Sequence, residues 1–191
     1  MAPTSEFRFE PLTPDRWDDF VRLFGPKGAY GGCWCMWFRQ TGKEFEAGRG
    51  AKNRDAMCEV VDRGPVPGIL AYAGDEPAGW VSLSPREQFP RLDRSRAMKQ
   101  VDREPVWSIV CFYIGPAYRG AGLMQALIRA AEVSATEQGA RVLEAYPRDP
   151  AVSPVSVDAA YHGVVPAFAA AGFHEVARRT AGQPVMRKQI G

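Results

Sequence analysis

No run of 18 apolar residues occurs in the chain, which excludes a membrane-spanning helix of ordinary length. Charge of one sign is not in excess either. The sequence has 24 Lys and Arg against 22 Asp and Glu, a net charge of +2, spread along its length, and this argues against a nucleic-acid partner. Histidine is scarce, with only His162 and His174. Cys33-Trp34-Cys35 therefore lacks the second ligand pair that a zinc site requires, and no metal is expected. The four cysteines, Cys33, Cys35, Cys58 and Cys111, form no disulfide framework, so each is expected to pack as a small apolar residue in a reducing compartment. Met1 to Glu6 have no basic segment leading into an apolar one, and the expectation is a cytoplasmic protein. Two common nucleotide motifs are missing as well. No Lys follows Gly122, as a Walker loop requires, and position 125 is Gln where a dinucleotide fingerprint has its last Gly.

What the chain does have is concentrated between residues 106 and 135. Eight of the nine residues from Val106 to Ile114 are apolar or aromatic, a continuous run that suits a strand covered on both faces. Gly115-Pro116 stops it. After Arg119, Gly120 and Gly122 allow a sharp turn and close approach of backbone to a ligand, while Leu123, Leu127, Ile128, Ala131 and Ala135 continue at helical spacing. The first turn of that helix offers amides without intrahelical partners and a partial positive charge, a combination that favours phosphate.

The remaining elements are also legible. Phe7 to Pro11 alternates as a first strand, a helix follows from Pro14 to Phe24 with Thr13 at its cap, and Asn53 to Arg63 forms a second helix. Gly68–Ala73 and Pro77–Leu83 flank Gly74-Asp75-Glu76 as a hairpin. The helix after Gly122 ends at Gly139, Arg141 to Pro147 is a strand, Val164 to Ala171 a short helix, and residues 174–178 and 183–188 a closing hairpin. Length and this order imply one α/β domain over residues 1–191 with about seven strands.

Arg119-Gly120-Ala121-Gly122-Leu123-Met124, following an apolar strand that ends in a Pro-containing turn, resembles the GNAT superfamily of acyl-CoA-dependent N-acyltransferases. The family pattern is Gln/Arg-x-x-Gly-x-Gly/Ala, from which Met124 departs. Gly172-Phe173 entering a strand matches as well, the order of strands and helices is similar, and the resemblance covers roughly residues 66 to 190. It implies a mixed central sheet of about seven strands with helices on both faces. It also implies acetyl-CoA as cosubstrate, with its pyrophosphate on the amides of Arg119 to Met124 and its pantetheine arm beside Phe112, Tyr113 and Ile114, where two strands splay apart. Residues 66–191 would form the coenzyme-binding core and C-terminal hairpin, and residues 1–65 the acceptor region. A homodimer is also implied. Many members have a proton-donating Tyr four residues before the Gly of Gly-Phe; here that residue is Phe168.

Acyl transfer to an amine needs a neutral nucleophile, a stabilised oxyanion and a proton for the leaving thiolate. Glu144, in the strand bordering the expected acyl site, is the candidate base. Tyr161, beside His162, is the candidate replacement acid, with Tyr113 and Tyr146 also within reach of consideration. Trp34, Trp37 and Arg39 are candidates for the acceptor site, or else Trp34, Trp37 and Phe38 belong to a helix packed into the core. The basic segment from Arg86 to Arg103 is read as a solvated loop, the alternative being that its arginines hold phosphate or an acidic substrate. The expected function is N-acetyl transfer from acetyl-CoA to a primary amine of a small molecule, amino acid or peptide by direct attack. The alternative is a noncatalytic acyl-CoA- or CoA-binding protein of the same fold.

Overall fold

The structure, a computed structural model, describes residues 7–156 and 159–191. Its centre is a seven-stranded sheet in the order β1-β2-β3-β4-β5-β7-β6. The strands are β1 (Phe7–Pro11), β2 (Gly68–Ala73), β3 (Glu76–Pro85), β4 (Trp107–Ile114), β5 (Val142–Ala145), β6 (His174–Ala177) and β7 (Val185–Gln189). All neighbours are antiparallel except β4 and β5, which run parallel because helix α4 (Leu123–Glu137) connects them. Mixed topology and about seven strands agree with the sequence reading.

Helices cover both faces. On one, α4 and the short α5 (Val165–Ala170) enclose a core in which Leu123, Leu127, Ile128, Ala131 and Ala135 of α4 are buried, the helical stripe read from the sequence. The helix lies close to β3 because Gly79 has no side chain. A Cβ there would stand 3.0 Å from Leu123 Cδ2 and 3.3 Å from Leu127 Cδ1. The other face is covered by α1 (Trp17–Phe24), α2 (Gly42–Gly48) and α3 (Ala51–Arg63) around Phe20, Phe24, Trp34, Met57 and Trp80.

Two local expectations change. The helix from Pro14 begins as a 3-10 turn over residues 14–16 and becomes α1 only at Trp17; the Thr13 hydroxyl bonds to Asp15 rather than to a helical amide. The short α2 has no counterpart in the sequence reading. Its signal was the Thr41-x-x-Glu44 pair, which forms a reciprocal capping box.

The parallel pairing of β4 and β5 is brief. Trp107, Ser108 and Ile109 face Leu143, Glu144 and Ala145, and beyond Ile109 the ladder stops. β4 is also irregular against β3: its partner register jumps from Cys111 opposite Ser82 to Ile109 opposite Leu83, leaving Val110 as a bulged residue. From that point β4 runs on to Ile114 with β3 as its only strand neighbour among the described residues. The two parallel strands therefore splay, and a cleft opens between them.

Candidate active site

The cleft belongs to a cavity of about 830 Å³ that passes from the α4 side of the sheet to the α1 side. One end is lined by Arg119, Gly120, Gly122, Leu123 and Met124. Here Gly120 and Gly122 sit at φ +77° and +76°, the left-handed region, and a Cβ on either would meet nothing within 4 Å, so open space lies in front of the turn. The start of α4 has no side-chain cap and no acidic residue in its first turn. Its first amides are thus free for an anion. Arg119 Nε donates to the carbonyl of Ile114 at 3.2 Å, which ties the turn to the end of β4.

The middle of the cavity is the splay. Gly115 N–H donates to Ala78 O at 2.9 Å, which makes that pair hydrogen-bonded. Antiparallel alternation then turns the amides of Tyr113 and Cys111 toward β3 and those of Phe112 and Ile114 toward the gap left by β5. Phe112, Tyr113 and Ile114 all line the cavity, as do Val164 and Ala167 near α5.

At the far end the wall is aromatic: Tyr30, Trp37, Phe38, Phe45 and Tyr161, with Cys33 and Cys35. The Arg91 guanidinium covers the Trp37 ring at 3.6 Å from its centroid. Of the three acceptor candidates only Trp37 faces the cavity. Trp34 is buried in the core against Phe24, with ring centroids 5.9 Å apart. Arg39 is half-buried outside the cavity lining, with its guanidinium bonded to Gln88, Ser84 and the carbonyl of Pro67 and lying over Phe89. Packing of aromatic side chains around α1 therefore accounts for Trp34, and a structural anchor for Arg39.

The candidate base also moves away from the site. Glu144 is fully buried and does not line the cavity. Its Oε1 accepts from Tyr146 OH at 2.6 Å and Arg86 Nη1 at 3.2 Å, and its Oε2 from Arg187 Nε at 2.7 Å. Arg86 reaches on to Asp93 and the carbonyl of Met98, and Arg187 to both oxygens of Asp102. This network joins β5 and β7 to the 86–103 segment. The carboxylate is thus spent on two guanidinium groups, and Glu144 fits a structural anchor rather than a base. Tyr146 is sealed in the same network, where burial and the Glu144 charge push its phenol far above its ordinary value. The 86–103 segment is no simple solvated loop, since Arg86 is buried and its acids pair with buried arginines.

Tyr161, by contrast, lines the cavity, and burial raises its phenol pKa, so it remains protonated at neutral pH. His162 packs beside it, 4.2 Å between rings, and near Phe38. Burial first, and then the Arg148 charge, push His162 down to about 3, and its Nδ1 has no partner, so it is a neutral packing residue. Phe168 is fully buried between Phe112 and Phe173, at 6.0 and 5.0 Å. An aromatic core residue therefore occupies the position of the usual acid. Cys35 is buried in the aromatic core and Cys33 and Cys111 pack against it, as expected, and all three also border the cavity.

A mixed sheet splayed at its parallel pair, with a glycine turn and an open helix start at the mouth of the cleft, is the architecture of an acetyltransferase domain. The chain belongs to the acetyltransferase (GNAT) family, whose family model matches residues 34–153. No curated protein sequence matches the chain. Among solved structures it is similar to the PaiA N-acetyltransferase from Thermoplasma acidophilum in complex with coenzyme A, at 13% identity and TM-score 0.55, covering 96% of this chain and 99% of that one. It is also similar to a chain of the NatC complex bound to Gag peptide and CoA, at 12% identity, TM-score 0.58 and coverage of 97% and 99%. A GNAT-family acetyltransferase from Streptococcus pneumoniae is similar at 14% identity, TM-score 0.53 and coverage of 97% and 100%. At these identities the likeness is one of fold.

Proposed function

We propose that the protein transfers an acetyl group from acetyl-CoA to a primary amine of a small molecule, amino acid or peptide by direct attack of the amine. The observation that carries this reading is the continuity of the cavity, which runs from the uncapped start of α4 through the β4/β5 splay to an aromatic chamber. The amides from Gly120 to Met124 hold the pyrophosphate, and those of Phe112 and Ile114 hold the pantetheine arm and polarise the thioester carbonyl. The amine enters beside Trp37, Phe38 and Phe45. Tyr161 supplies the proton to the departing thiolate. The amine loses its own proton to water, since Glu144 stands outside the cavity lining.

The burial of Phe168 favours a second reading, a noncatalytic acyl-CoA-binding protein with the same fold. Titration calorimetry with acetyl-CoA, followed by thiol release against a panel of amines, separates the two. Binding with turnover is the expected result; binding with no turnover on any amine supports the second reading, and absence of binding removes both.

A further inference from the structure

Three thiols from two parts of the chain meet on the cavity wall, and one of them differs from the others. Cys33 and Cys35 come from the segment after α1, Cys111 from the splayed part of β4. The Trp80 indole Nε1–H donates to Cys35 Sγ at 3.1 Å. An indole nitrogen only donates, so the sulfur is the acceptor, the role a thiolate fills best. The Ser82 hydroxyl, two residues along the same strand from Trp80, is fully buried and has no hydrogen-bond partner among the described residues. Ser82 lies opposite Cys111 in the β3/β4 register, and Cys111 packs against the same aromatic core cluster that contains Cys35 and Trp80.

The backbone agrees with this arrangement. Trp34 and Cys35 both have positive φ, +43° and +60°, a conformation that non-glycine residues adopt only where the surroundings hold them. Here it turns Cys35 toward the cavity wall. The neighbouring Cys111 thiol, then the Trp80 donor and the positive charge of Arg39, lower the Cys35 pKa against the opposing effect of burial. Cys111 moves the other way, raised by the neighbouring Cys35 thiol and by its removal from solvent.

We propose that Cys35 is a second acyl acceptor in this cavity, forming an S-acyl cysteine from bound acyl-CoA when no amine is present. The Cys35 thiolate attacks the thioester carbonyl carbon, a new carbon–sulfur bond forms, and the bond to the coenzyme sulfur breaks. Coenzyme A leaves as a thiolate and takes a proton from water. One thioester replaces another, so no oxidant or further reactant is consumed. The inference rests on the acyl-CoA reading of the cavity.

The test is intact-protein mass spectrometry after incubation with acetyl-CoA alone, with peptide mapping and hydroxylamine treatment, alongside calorimetry of coenzyme A binding. The expected result is a single acetyl adduct on Cys35 that hydroxylamine removes and that Cys35→Ser lacks. Wild-type mapping makes the result independent of how well the variant folds. Coenzyme A binding without an adduct on Cys35, or with an adduct only at a hydroxylamine-stable site, overturns the proposal and leaves the acyl-CoA reading standing. Absence of coenzyme A binding overturns both.

Discussion

Glu144 holds two guanidinium groups with one buried carboxylate, and its removal exposes what a half-broken buried ion pair costs. In Glu144→Gln the side chains of Arg86 and Arg187 keep Asp93 and Asp102 as their charged partners, both largely exposed. The expected loss is about 3–5 kcal/mol of folding stability, the range for removing one partner of a buried pair. Urea denaturation measures it, and the pH profile of any acyl transfer should keep its shape. His162 gives a second prediction at this scale. Its folded pKa is depressed to about 3 from an ordinary 6.5, so the unfolded chain binds the proton first as pH falls. Stability contributed by the neutral ring is complete above pH 6.5 and is lost progressively between 6.5 and 3. At pH 5 this amounts to about 2 kcal/mol. Replacing His162 with Phe should flatten that part of the stability–pH curve, and an unchanged slope between pH 7 and pH 5 would remove the assignment.

Both ends of α4 use glycine at positive φ, yet only one end faces the cavity. Gly122 at the start has φ +76° and Gly139 beyond the end has φ +86°, and an added Cβ meets nothing within 4 Å in either case. Alanine at each position should therefore carry a similar backbone cost, about 1–2 kcal/mol. Their effects on the coenzyme should diverge. Gly122→Ala is expected to weaken coenzyme A binding about tenfold or more, because the turn that aims the first amides of α4 must shift, an effect of about 1.4 kcal/mol. Gly139→Ala should leave affinity unchanged. Equal effects of the two substitutions on affinity, measured by calorimetry, would detach the anion site from this turn. The strand–turn–helix unit was legible because its signals are local: an apolar run, Gly115-Pro116 to stop it, and a periodic stripe after Gly122. The helix α2 was missed because it is short, begins and ends on glycine and buries only Phe45 and Gly48.

Across the whole molecule, the cavity exists because two layers of helices meet a sheet that is split at one place. Trp37 stands at the aromatic end, edge-on to Phe45 at 5.0 Å and covered by Arg91. Trp37→Ala should raise KM for the amine several-fold while coenzyme A affinity is unchanged, since the glycine turn proposed to hold the pyrophosphate lies at the opposite end of the cavity. Steady-state kinetics with both substrates varied makes that separation. The sequence by itself determined the strand order, the family resemblance and the strand–turn–helix unit proposed to hold the coenzyme, because each depends on residues adjacent along the chain. The tertiary structure alone decided which chemical groups reach the cavity. Glu144 meets Arg86 across 58 positions and Arg187 across 43, and Trp80 meets Cys35 across 45, so neither the sealing of the carboxylate nor the exposure of the thiol to the cavity has a local signal. Long-range packing set those partners, and packing depends on the shape of the assembled core rather than on the spacing of letters.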